Sequence, residues 1–169
     1  MDTTKGKVET GLLKPLFEAR LQYQSDMEVV VSAVTREGEL VGSGDGTLTG
    51  ASLSGKARWS MYAGNCAYVF VRAGVEPPPE QHLCTVHPAG VIATDDGAEI
   101  WFDAKGYGLR GADLSHPHLW VLTMAMQFTT TDRRYQWLNT TLGVAVSEFD
   151  ERAGRALWQA FVPQVARLL

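Results

Sequence analysis

Three residues have the chemistry to move a proton or steady a charge without help from a cofactor. His87 is the first, because an imidazole can give or take a proton near neutral pH. Tyr135 is the second, a phenol hydroxyl able to move a proton, and Arg58 presents a planar fork of donors suited to a substrate oxyanion. Together they fit a general acid/base reaction in which His87 or Tyr135 moves the proton and Arg58 stabilises developing negative charge. Each also has a plainer reading. His87 stands four residues before a β-branched run, and strand parity counted from Ile92 turns its ring away from the core unless Pro88 introduces a bulge. Arg58 reaches the interior only if a bulge at Lys56 turns it inward, and otherwise points to solvent.

The residues expected to line a binding pocket are mostly apolar. If Leu53 faces inward, alternation carries Gly55, Ala57 and Trp59 to the same side, where small residues clear space beside an indole. The run Trp120 to Thr130 places Met124, Met126 and Phe128 on one face, and thioethers adapt well to aromatic guests. Thr94 and Phe102 join them from the neighbouring hairpin, and Trp137 is the remaining aromatic assigned to substrate binding. No metal is expected: His116 and His118 lack a carboxylate or cysteine at ligand spacing. Asp95 and Asp96 form a carboxylate pair whose simpler explanation is turn chemistry. No nucleophile elbow, phosphate loop or dinucleotide fingerprint occurs, so a cofactor-independent mechanism is expected.

These residues need strands to position them. His87 to Tyr107 is the organising stretch, with Val91 to Thr94 and Ala98 to Phe102 flanking Asp95-Asp96-Gly97 as a tight hairpin. Pairing Thr94 with Ala98 sets Ile92 against Ile100 and Gly90 against Phe102 on the core side. Val91, Ala93, Glu99, Trp101 and Asp103 then take the wetter face, which implies an antiparallel sheet. Further strands are expected at Leu12 to Tyr23, Glu28 to Val34, Leu40-Val41, Leu53 to Tyr62, Cys66 to Ala73, Trp120 to Thr130 and Leu142 to Phe149. Four glycines in Gly42 to Gly50 suggest bulges or corners in a curved sheet. Pro77 to Pro79 mark a surface loop, Lys105 to Trp120 a long irregular excursion, and Asp132 to Asn139 a helical turn. Gly154 reads as a hairpin turn into a closing strand over 156–162, with a terminal helix as the competing assignment. About eight to ten short strands separated by turns mean a sandwich or a barrel, and a barrel leaves no exposed edges.

Composition agrees with one soluble domain. The 169 residues are 45% hydrophobic and 20% charged, with a net charge of -4 and no basic cluster, so nucleic acid is not an expected partner. The first ten residues contain no apolar stretch, and no run is long enough to span a membrane, which points to the cytoplasm. Cys66 and Cys84 are expected to be reduced and buried. Residues 1–11 read as a flexible segment and 12–169 as a single domain.

Gly50 to Trp59 (GASLSGKARW), Thr94 to Gly106 (TDDGAEIWFDAKG) and Phe128 to Gly143 (FTTTDRRYQWLNTTLG) together resemble the DUF3237 family. The resemblance implies a calycin-like antiparallel β-barrel enclosing a pocket for a small organic molecule. Some fungal members are implicated in polyketide tailoring, directing a stereoselective ring closure without a cofactor. The sequence departs from the family where members typically carry an aspartate before the tryptophan matching Trp59, and Asp-Ala-Arg-Tyr before the hairpin. Arg58 and His87-Pro88-Ala89-Gly90 stand there instead. The expected function is therefore a cofactor-free lyase, isomerase or cyclase acting on an apolar, aromatic or polyketide-like molecule in a barrel pocket. The alternative is a carrier with the same pocket and no catalysis. A homodimer is compatible with the sequence but not specified by it.

Overall fold

The computed structural model describes residues 12–24, 28–31, 38–64, 83–110, 116 and 118–164. Nine strands occur among them: β1 (Leu13–Tyr23), β2 (Glu28–Val31), β3 (Gly38–Thr49), β4 (Gly55–Gly64), β5 (Leu83–Thr94), β6 (Glu99–Arg110), β7 (Leu119–Thr129), β8 (Gly143–Asp150) and β9 (Arg155–Pro163). Consecutive strands from β3 to β9 pair antiparallel, and β1 pairs with both β9 and β3, closing an eight-stranded barrel. β2 continues beside the first residues of β3. The described helix is a single 3-10 segment, Gln136–Thr140, and no helix among the described residues is long and apolar enough to cross a membrane.

The central hairpin has the expected register. The Thr94 amide donates to the Ala98 carbonyl, Ile92 pairs with Ile100 and Gly90 with Phe102. Gly97 takes φ +87° at the turn, a conformation that a residue with a Cβ adopts only at a cost. The closing strand is also found, entered through a turn in which Gly154 has φ +60°. Pro15 stands at the one register shift between β1 and β9.

Two glycine-rich stretches differ from expectation. Lys105–Arg110 is not irregular: it is the second half of β6, fully paired with β7. A Cβ at Gly106 would lie 1.9 Å from the Thr123 carbonyl oxygen and one at Gly108 would lie 2.6 Å from Cys84 Sγ. These glycines mark close approach within a strand rather than a loop. Likewise, Gly42 to Leu48 pairs with β4 in an unbroken register, so of the bulges or corners expected there no bulge occurs. The expected strand at Cys66 to Ala73, the proline loop, residues 32–34, 111–115, Pro117 and the N-terminal segment 1–11 lie outside the described residues.

The inward faces build one apolar core. Trp59, Tyr23 and Phe149 form a cluster in which Tyr23 lies 4.5 Å from each of the other two ring centroids, and Phe102 meets Trp158 edge-on at 6.2 Å. Gly44 faces Trp59 across the β3–β4 pair, and a Cβ there would sit 2.2 Å from the indole. The void between these side chains, bounded by Trp59, Phe102, Met126 and Trp158, measures about 10 Å³. That is at the lower limit for one water molecule. The expected ligand chamber is therefore not open among the described residues, because Tyr23, Phe149 and Trp158 fill the space that Gly44, Ala57 and Gly90 leave beside Trp59.

Candidate functional site

The wall of β4, β5 and β6 carries the polar chemistry on its outer side. The register through Lys56 is unbroken in both β3–β4 and β4–β5 pairings, so Arg58 projects outward, correcting the expectation of a bulge there. Pro88 introduces no register shift either, and His87 faces outward with its side chain 38% exposed. These outward residues form rows across the strands. Arg58, Val91 and Trp101 form one row; Ser60, Ala89 and Asp103 the next; Tyr62 and His87 the third. Small residues in the middle row make a trough floor, and the bulky rows make its walls. The trough encloses about 550 Å³.

His87 Nε2 lies 2.7 Å from Asp103 Oδ1. A carboxylate only accepts, so Nε2 carries the hydrogen that points to Asp103; in the neutral ring this leaves the lone pair on Nδ1, the arrangement of a base oriented by an acid. Lys105 Nζ stands 3.5 Å from the other oxygen, Asp103 Oδ2, and helps fix the carboxylate. Tyr62 donates to Glu39 Oε2, and this hydrogen bond to a carboxylate raises the phenol above its ordinary pKa. The Arg58 side chain has no ion pair or hydrogen bond among the described residues. Trp101, 48% exposed, completes the wall with an aromatic face. The trough thus offers an oriented base, an uncommitted cation and an aromatic surface.

Tyr135 is not part of this group. Its hydroxyl donates to Asp96 Oδ2 at 3.0 Å, which also accepts from Arg134 Nη1 at 2.8 Å, while Asp96 Oδ1 accepts from Thr94 at 2.6 Å. The Thr94 hydroxyl, chiefly, holds the Asp96 carboxyl below the usual range; burial and then the bond to Asp96 raise the Tyr135 phenol. Arg134 also grips Asp132, whose carboxyl it lowers to about 2. Asp96 therefore does more than shape its turn: it clamps the hairpin tip to the segment before the 3-10 helix. Asn139 adds two bonds to the Thr130 backbone. The TDDG and DRRYQWLN stretches are joined by this clamp, which has a structural purpose.

The other predicted positions separate in the same way. Trp59, Phe102, Met124, Met126 and Phe128 are buried inside the barrel, and Thr94 is buried under the hairpin tip. Trp137 lies on the surface with the Lys14 ammonium 5.3 Å over its ring. Asp103, Trp101 and Tyr62 were not singled out for chemistry from the sequence. The hairpin register itself was the available signal, since it sets Asp103 opposite Ala89 and one step from His87. A further polar group lies at the far end of β6. There Arg110 stacks 4.7 Å from the Trp120 ring and pairs at 3.4 Å with Glu151, which also accepts from Trp120 Nε1. Burial raises the Glu151 carboxyl. The His116 and His118 rings lie 6.1 Å apart, and among the described residues no group of three or more His, Cys, Asp or Glu that could hold a metal ion occurs.

A family model described as a protein of unknown function, DUF3237, matches residues 12–162. Among solved structures, the chain is similar to a beta-barrel-like protein from Acinetobacter baumannii, at 20% identity and TM-score 0.72 over 90% of this chain and 95% of that one. It is also similar to a conserved protein of unknown function from Rhodopseudomonas palustris, at 17% identity and TM-score 0.69 over 90% and 98%. An enzyme from Penicillium herquei aligns at 15% identity and TM-score 0.59 over 94% and 99%. No curated protein matches.

Proposed function

The chain belongs to the DUF3237 family of β-barrel proteins, and on that premise we propose that it is a cofactor-independent general acid/base catalyst for a small organic substrate bound on its outer wall. The reaction class is that of a lyase, isomerase or cyclase. The observation that carries the reading is the 2.7 Å His87–Asp103 pair at the edge of a trough whose opposite wall holds Arg58, without an ion pair among the described residues. His87 Nδ1 takes a proton from the substrate, Asp103 stabilises the imidazolium that forms, and Arg58 stabilises the resulting oxyanion. Trp101 supplies a face on which a planar substrate stacks. That a protein of the same fold from Penicillium herquei is an enzyme supports catalysis on this scaffold. The carrier alternative needs an interior chamber, and a void of about 10 Å³ gives it no support.

The test uses 5-nitrobenzisoxazole, whose ring opening needs only a base and produces a phenolate. The wild-type protein should accelerate its elimination above the buffer rate, and His87→Gln should remove about 100-fold or more of that acceleration. Trp59→Phe, which alters the interior alone, should leave the rate unchanged. An equal rate in wild type and His87→Gln overturns the assignment.

A further inference from the structure

The outer wall continues past the trough into a face of different character. β7 presents Leu119, Val121, Thr123, Ala125, Gln127 and Thr129 outward, a full strand without one charge. The register extends this face onto both neighbours. Tyr107 and Val146 flank Thr123, while Leu109 flanks Val121 and Val144 flanks Ala125. Leu83 of β5 then continues the row of Leu109. Tyr107, Leu109 and Val121 are each about half exposed. A solvated barrel wall ordinarily alternates charged residues on its outer side, and loss of charge over a contiguous apolar face marks a protein interface.

Charge at the margin identifies the partner. Lys105 stands on β6 beside Ala125, and Glu148 stands on β8 beside Val121. They lie diagonally across the face, one positive and one negative, with Thr123 midway between them. A two-fold axis lying in the plane of the face and crossing over Thr123 brings Lys105 of one copy against Glu148 of a second, and does so twice. Glu148 has no ion pair among the described residues, so this contact supplies one. A self-complementary patch with its apolar residues central and opposite charges at the rim is what an isologous dimer requires. We infer that the β6–β7–β8 face is the interface of a homodimer. The inference does not rest on the reaction proposed for the trough, although the two share Lys105, which also lies 3.5 Å from Asp103 Oδ2. It has one consequence for it: Lys105, Tyr107 and His87 line an adjoining groove of about 370 Å³, which the second copy flanks.

Sedimentation equilibrium of the full chain tests this. The wild type should be dimeric, and Val121→Glu, at an exposed position where folding does not depend on the side chain, should weaken association by about 100-fold. Thr123→Lys serves as the second central variant, and circular dichroism confirms that each variant folds. Lys105→Glu and Glu148→Lys should each weaken the dimer by about 10-fold, and the double variant Lys105→Glu/Glu148→Lys should restore it. A wild type that is monomeric up to about 1 mM overturns the inference. So does a dimer indifferent to Val121→Glu and Thr123→Lys, or a double variant weaker than both singles.

Discussion

The two sides of the β4–β5–β6 wall are built from alternate residues of the same strands and have opposite properties. Inward, Trp59, Ile92 and Phe102 pack into a core in which the void they border with Met126 and Trp158 is about 10 Å³. Outward, Arg58, His87 and Trp101 border a trough of about 550 Å³ in which an imidazole and a carboxylate are in hydrogen-bond contact. One residue of displacement along a strand separates a position packed in the core from one that faces the trough. Under the proposed function, barrel closure serves as a rigid mount and the groups assigned to chemistry sit on its surface rather than in its lumen.

The interior should show the largest effects. Trp59→Ala removes an indole that is 4% exposed and should destabilise the protein by about 3–5 kcal/mol in chemical denaturation. A loss below about 1 kcal/mol means the core is looser than described. Gly44→Ala pushes a methyl into the same indole and should cost about 1–3 kcal/mol, with the Trp59 near-ultraviolet dichroism changing as the ring shifts.

The Asp96–Arg134–Asp132 clamp sharpens the comparison through pH. Its carboxyls are lowered in the fold, Asp132 from 3.8 to about 2, so their stabilising effect is present above pH 3.8 and disappears as pH falls through about 2. The melting temperature of the wild type should therefore drop more steeply below pH 4 than that of Asp132→Asn. Parallel slopes contradict a folded-state clamp. The smallest effect belongs to the trough: Arg58→Ala should change stability by less than about 0.5 kcal/mol while weakening binding of an anionic ligand. A large loss of stability would show that Arg58 has a structural partner.

Much of this contrast was legible in the sequence. The hairpin register, Thr94 to Ala98 and Ile92 to Ile100, follows from alternation around Asp95-Asp96-Gly97 and is as read. Simple parity also turns Arg58 and His87 outward; the bulges invoked at Lys56 and Pro88 to bring them in do not occur. What alternation cannot convey is volume. Tyr23 meets Trp59 and Phe149, and Trp158 meets Phe102, from strands distant in sequence, so the filled core was not readable from any one of them. Gly106 and Gly108 misled for a related reason, since a glycine that admits a neighbouring strand looks in sequence like one that ends a strand. The Asp96–Tyr135 contact joins residues 39 positions apart and converts a turn residue and a candidate acid into a clamp.

The most direct test of an external site beneath a filled core is the set of five indole N–H resonances, one for each tryptophan, during titration with 2-naphthoate, a planar aromatic anion. The Trp101 resonance should shift in a saturable way, and Arg58→Ala should abolish the shift. The Trp59 and Trp158 resonances, from buried indoles with no hydrogen-bond partner, should stay in place. Movement of Trp59 and Trp158 with Trp101 unperturbed would place the ligand in the lumen and contradict the account.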